Sequence, residues 1–261
     1  EFSEKDKNIV LNQSIETKLN FLIKMAWEIL QRKIEQKFVI INKEASLQLQ
    51  YANILQSLID VCQFSDGEII KVVLEKTVFI QNQKPQEVDI IVETFINNDP
   101  YKIAIEMKCY RTKTSSGRAR GAQDIFLKDV YEDIEVLENY RRTNTDIKKT
   151  YFLLMTDYKN FVFPKDKQAK CWDYDISDGF ELKGPKCFTT PIGGKDINIT
   201  INNSYSFDWT SVAFEEGEYY HYIGVREDGA IWLFAGSEKG YVLYLLHPDG
   251  SDERIAKLDV N

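Results

Sequence analysis

KPQEVDIIVETFINNDPYKIAIEMKCYR, residues 84–111, is the stretch on which the fold turns. Two apolar runs, Val88 to Thr94 and Tyr101 to Arg111, flank Asn97-Asn98-Asp99-Pro100, whose residue types favour a tight turn, so the spacing predicts an antiparallel hairpin. Alternation along the second run sends Lys102, Ala104, Glu106, Lys108 and Tyr110 to one face. Ile103, Ile105, Met107 and Cys109 go to the other face, which is apolar throughout and is read as core. Glu106 and Lys108 are then neighbours, about 7 Å apart along the strand. In the first run, Val88, Ile90 and Val92 are expected to face one way and Asp89 the other. With the polar faces aligned, one carboxylate from each strand converges beside an ammonium.

The surroundings of this hairpin predict an α/β core. Upstream, Ile15, Leu19, Leu22, Ile23, Trp27, Leu30 and Ile34 recur at helical spacing over residues 14–37. A second helix is predicted over 44–62 from the stripe Leu47, Tyr51, Ile54, Leu55, Leu58 and Val61. A turn at Asp66-Gly67 leads to a strand-like run from Ile69 to Ile80. Downstream of the hairpin lies a polar basic loop, TKTSSGRARGA at 112–122, then a long helix from about Gln123 to Arg142 with Phe126, Val130, Ile134 and Leu137 as core positions. YFLLMT at 151–156 reads as a central strand. Helix, three strands, long helix, strand is the order of a mixed central β-sheet flanked by helices. After about residue 160 the texture becomes aromatic-rich and Gly/Asp-punctuated: INITI (197–201), YYHYIGV (219–225), AIWLFA (230–235) and YVLYLL (241–246), with turns at Glu227-Asp228-Gly229 and Pro248-Asp249-Gly250. Residues 1–160 are therefore read as helical segment plus core, and 161–261 as a β-rich extension, either a subdomain or strands added to the same sheet.

Composition narrows the classes. The chain has 43% hydrophobic and 28% charged residues and no apolar run near the 18 or so residues of a membrane span. Its first twenty residues are polar and of mixed charge, unlike a secretory signal. Cys62, Cys109, Cys171 and Cys187 form no CxxC pair and lie apart from His221 and His247, which argues against zinc; packed, reduced thiols and a cytoplasmic setting fit. The net charge of -8 is unevenly spread: residues 205–261 hold eleven acidic against four basic side chains, whereas 107–128 hold six basic and one acidic. A phosphate senses charge within about 8 Å, so the local patch outweighs the global sum.

Two converging carboxylates favour a hard cation with oxygen ligands, Mg2+ in practice with Mn2+ as a substitute, and an adjacent amine can neutralise charge at phosphorus. An Asp followed on the next strand by Glu-x-Lys, here Asp89 and Glu106-Met107-Lys108, then a basic loop and a helix, resembles the PD-(D/E)xK superfamily of restriction-endonuclease-like nucleases. Val88 stands where that pattern has Pro, and the resemblance spans roughly residues 44–156. It implies metal-dependent hydrolysis of DNA, with Asp89 and Glu106 as ligands, the Met107 carbonyl as a third and Lys108 as the catalytic cation. It also implies a further acid on the helix before the sheet, for which Glu44, with Gln48 one turn on, is the candidate metal or water ligand. A type II-like restriction enzyme acting as a homodimer on double-stranded DNA is the first reading, because dimer symmetry suits a palindrome.

Other readings stand beside these. Asp89, Glu106 and Lys108 as a salt-bridge ladder on a half-exposed sheet would contribute about 0–1 kcal/mol per pair. Glu44 as an N-terminal helix charge needs no metal. Arg111, Lys113, Arg118, Arg120 and Gln123 follow the motif and are candidates to grip nucleic acid; a solvated loop and a helix cap are the plain alternatives. Arg141, Arg142, Lys148 and Lys149 form a second basic cluster, of which the first two suit a helix C-terminus. The aromatics Trp172, Trp209, Tyr219, Tyr220, Tyr222 and Trp232 read as core rather than base-stacking residues. A repair or structure-selective nuclease and a non-catalytic nucleic-acid-binding module use the same fold. A glycosidase with Asp89 and Glu106 as acid and base leaves Lys108 without a role.

Overall fold

A computed structural model describes residues 14–63, 69–79, 85–114, 117–214, 217–223, 231–237, 240–246 and 252–258. The turns expected at Asp66-Gly67, Glu227-Asp228-Gly229 and Pro248-Asp249-Gly250 lie outside these residues. Helix α1 (Ile15–Glu35) starts where the Ser14 hydroxyl accepts the Thr17 N–H at 3.2 Å, an N-cap. Helix α2 (Glu44–Cys62) begins where the Ser46 hydroxyl reaches back to accept the Lys43 N–H at 3.1 Å. Strands β1 (Lys71–Val78), β2 (Gln86–Ile96) and β3 (Asp99–Tyr110) follow, then α3 (Gln123–Thr143) and β4 (Ile147–Thr156). The chain is mixed α/β.

β2 and β3 form the expected hairpin. Ile96 pairs with Asp99, and Asn97 and Asn98 both take positive φ (53° and 68°), the backbone of a two-residue turn whose twist suits a hairpin. β1 adds antiparallel to β2, and β4 adds parallel to β3 through the α3 crossover. β9 (Trp209–Phe214) and β10 (Gly217–Ile223) extend the same sheet antiparallel beyond β4, in the order β1-β2-β3-β4-β10-β9. Between β4 and β9 run a short helix α4 (Lys159–Val162), a 3-10 turn (Lys170–Tyr174) and two small antiparallel pairs. These pairs are β5 (Phe180–Leu182) with β8 (Tyr205–Phe207), and β6 (Lys186–Phe188) with β7 (Ile199–Ile201). Ser14–Gly224 is one compact unit. Residues from Val225 onward belong to a second, in which β11 (Ile231–Ser237), β12 (Gly240–Leu246) and β13 (Asp252–Leu258) form an antiparallel sheet. Among the described residues no helix is long and apolar enough to cross a membrane.

Two apolar layers sandwich the central sheet. On one face Leu19, Ile23, Trp27 and Leu30 of α1 and Leu47, Tyr51 and Leu55 of α2 pack on Ile103, Ile105, Met107 and Cys109. On the other, Phe126, Val130, Ile134 and Leu137 of α3 pack on Ala104 and Tyr110. The alternation read along β3 therefore holds. Along β2 it breaks: Ile90 and Val92 join the α1–α2 layer, but Val88 packs on the α3 side with Ile91, so Val88 does not share a face with them. The cause is local. Glu75, across from Asp89 on β1, adopts φ +50°, and the β2–β3 ladder stops at Ile90–Ile105. β2 twists out of its alternation there, keeping its pairing to β1 while leaving β3.

The far end of α3 is tied down by charge-assisted bonds. Buried Glu138 accepts the backbone and side-chain N–H groups of Asn202 and Asn203 and the Tyr205 hydroxyl, all within 2.8–3.0 Å. Full burial of an Ile side chain contributes about 1.5–3 kcal/mol, and Ile105 is fully buried between the helices and the sheet. Ile105→Ala is expected to lower unfolding free energy by about 2–5 kcal/mol, whereas Phe95→Ala, at a side chain 60% exposed, stays within about 0.5 kcal/mol. Urea melts of both variants check the pair, and equal losses would contradict the layer assignment.

Candidate active site

The splaying of β2 from β3 builds the site. Residue by residue, a strand directs N–H and C=O of one residue to the same edge. Where β2 has left, the Met107 and Cys109 N–H groups on that edge find carboxylates instead of a strand. The Met107 N–H donates to Asp89 Oδ2 at 2.7 Å, and the Cys109 N–H donates to Glu44 Oε2 at 3.1 Å. Gln48, one turn along α2 from Glu44, donates its amide to the Asp89 carbonyl at 2.8 Å and so fixes the twisted segment of β2. By strand geometry the Met107 carbonyl faces the same opening, beside Asp89.

Asp89, Glu106, Lys108 and Glu44 are thus brought together. The carboxyl groups of Asp89 and Glu106 lie within hydrogen-bonding reach of each other. Burial, then the neighbouring Asp89 and Asp133, push the Glu106 carboxyl well above the carboxylate range; burial also raises Asp89, whose bonds to Met107 N–H and Glu106 pull the other way. Of the two, Glu106 is displaced further from the ordinary carboxylate range. Lys108 Nζ lies 3.0 Å from Asp133 Oδ2 and 3.8 Å from Glu44 Oε1. Burial works against its charge, but Asp133 and Glu44 outweigh burial and raise the ammonium above its usual range. Lys108 is a cation, not a base, at neutral pH. The ladder reading applies elsewhere on this face: Lys102 lies 3.9 Å from Glu93 and pairs with Asp146, while Lys76 pairs with Glu93 near the hairpin turn.

No family model, curated protein or solved structure matches the chain.

Among the described residues no group of three or more His, Cys, Asp or Glu side chains is assembled to hold a metal ion. The acids that converge most closely are a pair. Mg2+ keeps several waters and is often bound by one or two carboxylates with substrate oxygens, so a pair of converging carboxyl groups offers donors of the kind it takes. Glu44 stands on the Lys108 side of this pair, half-buried, with its carboxyl raised chiefly by burial and lowered by Lys108.

The described residues of the basic loop are tied by backbone hydrogen bonds. Thr114 N–H donates to Arg118 O and Arg120 N–H to Thr112 O, each at 2.8 Å. Lys113, Arg118 and Arg120 are exposed, and the Arg120 guanidinium lies 5.3 Å above the Tyr110 ring. Gln123, the exposed first residue of α3, has its side chain at the Tyr110 hydroxyl. Arg111 is set apart from these: it pairs with Asp157 at 2.8 Å and bonds the Ile41 carbonyl, so it anchors the base of the loop. Trp209 donates its ring N–H to the Ile176 carbonyl at 2.6 Å and packs against the core.

Two residues that the sequence reading passed over reach the site from α3. Asp133 lies three residues after Val130 and four before Leu137, both buried, so it shares their inward stripe; an acid at that position was the available signal. Tyr140 is fully buried with its hydroxyl beside Glu106. Burial pushes the Asp133 carboxyl up to about 7 although Lys108 pulls it down. A folded-state value above the ordinary 3.8 means the folded chain binds that proton more tightly than the unfolded one. The resulting stability is present in full below 3.8 and lost as pH rises through about 7. In metal-free buffer, the stability of wild type relative to Asp133→Asn is expected to fall by about 1–3 kcal/mol between pH 4.5 and 7.5. Urea midpoints at the two pH values read this, and a difference independent of pH would contradict the raised value.

Proposed function

We propose that this chain is a Mg2+-dependent endodeoxyribonuclease with a restriction-endonuclease-like core, hydrolysing DNA phosphodiester bonds. The observation that carries the reading is the convergence of Asp89 and Glu106, from two strands that part company there, beside the charged Lys108. Asp89, Glu106 and the Met107 carbonyl would hold the ion, with Glu44 as a ligand to it or to its water. Mg2+, or Mn2+ in its place, supplies polarisation of the scissile phosphate and a water acidified toward hydroxide. Asp89 is aimed by the Met107 N–H and, through its own backbone, by Gln48. Lys108, kept protonated, offset by Asp133 and Glu44, acts as a fixed positive charge for the anionic transition state rather than as the proton acceptor.

Lys113, Arg118 and Arg120, exposed on the loop that leaves β3, and Gln123 beyond it are the side chains we assign to the phosphate backbone, with Arg111 holding the loop's base against Asp157. Such contacts give register and salt dependence, not sequence readout. Double-stranded DNA and a homodimer with one site per strand, as in a type II-like restriction enzyme, are the substrate and assembly that go with this reading.

Supercoiled plasmid incubated with Mg2+ is expected to be nicked or linearised, and EDTA to stop it. Asp89→Ala and Glu106→Ala should lose at least about a thousandfold in rate, and Lys108→Ala about a hundred- to a thousandfold, with DNA binding retained. Gel assays of cutting alongside filter binding decide the matter: binding without Mg2+-dependent cutting would leave a binding module in place of a nuclease.

A further inference from the structure

We infer that Asp133 is a positioning residue that fixes the Lys108 ammonium beside the Asp89–Glu106 carboxylates. The inference rests on the nuclease reading and extends it to a helix outside the Asp, Glu-x-Lys pattern.

Asp133 occupies a costly place. Its stripe on α3 is otherwise apolar, with Val130 and Leu137 buried one turn to either side. The side chain keeps 21% of its surface, but Oδ2 itself is shielded from solvent and lies 3.0 Å from Lys108 Nζ. A carboxylate placed so needs a charged partner to be tolerated, and the partner here is the lysine two residues from Glu106. Glu44, the other acid within ion-pair range of the ammonium among the described residues, is 0.8 Å farther away and already accepts the Cys109 N–H. A lysine is a point charge on a flexible four-carbon stem, so its placement must come from its neighbours. α3 supplies that restraint in register with the strand: running back over β3 from the crossover, it sets Asp133 on Lys108 and, seven residues later, the buried Tyr140 hydroxyl beside Glu106. One helix face thus contacts both functional side chains of β3.

Steady-state cleavage by the full chain separates positioning from a structural salt bridge. Asp133→Asn is expected to lower kcat about 10- to 100-fold with KM unchanged, as loss of an orienting partner does. Asp133→Glu, which keeps the charge, should recover most of it. In a Lys108→Ala background Asp133→Asn should have no further effect, because nothing remains to be positioned. A kcat for Asp133→Asn within twofold of wild type, or its full penalty persisting without Lys108, overturns the inference. A second readout is independent of cutting: labelling with an acylating anhydride, followed by peptide mass spectrometry, should modify Lys108 several-fold faster in Asp133→Asn than in wild type, with the uncharged Asp133→Ser replacing Asp133→Asn if the latter fails to fold. Equal labelling rates overturn the positioning role even if the enzyme cuts. A wild type that cuts no DNA while Lys108 remains protected overturns the nuclease reading, and with it the catalytic purpose of the contact.

Discussion

A β-strand that loses its neighbour must do something with its edge. At β3 the neighbour leaves after Ile90–Ile105, and two N–H donors, those of Met107 and Cys109, face the gap. Buried donors left alone cost about 1–3 kcal/mol each, so the chain supplies acceptors. The acceptors are carboxylates: Asp89 from the departing strand and Glu44 from the start of α2. The two acids are therefore held by the same backbone groups that would otherwise destabilise the sheet. Satisfying the edge and assembling the acidic cluster are a single event.

The electrostatics follow from that placement. Asp89 and Glu106 lie side by side where burial raises both carboxyls, and Asp133 is a further acid that raises Glu106. One ammonium, from Lys108, stands against them. An arrangement with more acids than cations is poorly matched as a closed structural network, because buried charge is tolerated when paired. That excess of acids is what the proposed metal reading draws on. The surface pairs on the same sheet face, Lys102 with Asp146 and Lys76 with Glu93, are balanced by comparison and belong to the scaffold.

Much of this was legible in the residues. The hairpin followed from Asn97-Asn98 between alternating runs, and the split of β3 into an apolar and a polar face held at every position from Ile103 to Tyr110 that the layers report. Glu106 and Lys108 share a face by simple alternation, whereas Asp89 reaches them through the departure of β2 from its register, which no local pattern encodes. Val88 was misassigned because strict alternation assumes a regular strand, and no residue type near Asp89 announces the turn at Glu75. Asp133 escaped for a different reason. An acid on an inward stripe has no role that the sequence alone assigns; its role comes from the tertiary contact with Lys108. Arg111, read with the loop cations, is drawn into the scaffold by Asp157, forty-six residues away, a pairing no local pattern encodes.

The Glu138 clamp changes how the segment after β4 should be regarded. A carboxylate that collects five donors from Asn202, Asn203 and Tyr205 ties the middle of the polypeptide to a stretch sixty-odd residues downstream. That stretch is a brace rather than an ornament. A shortened polypeptide ending after Thr156 would keep every residue of the Asp, Glu-x-Lys pattern and yet lose all five donors that hold Glu138 near the C-terminal end of α3. Changes in the segment after β4 are thus felt at α3, through the asparagines that grip the helix.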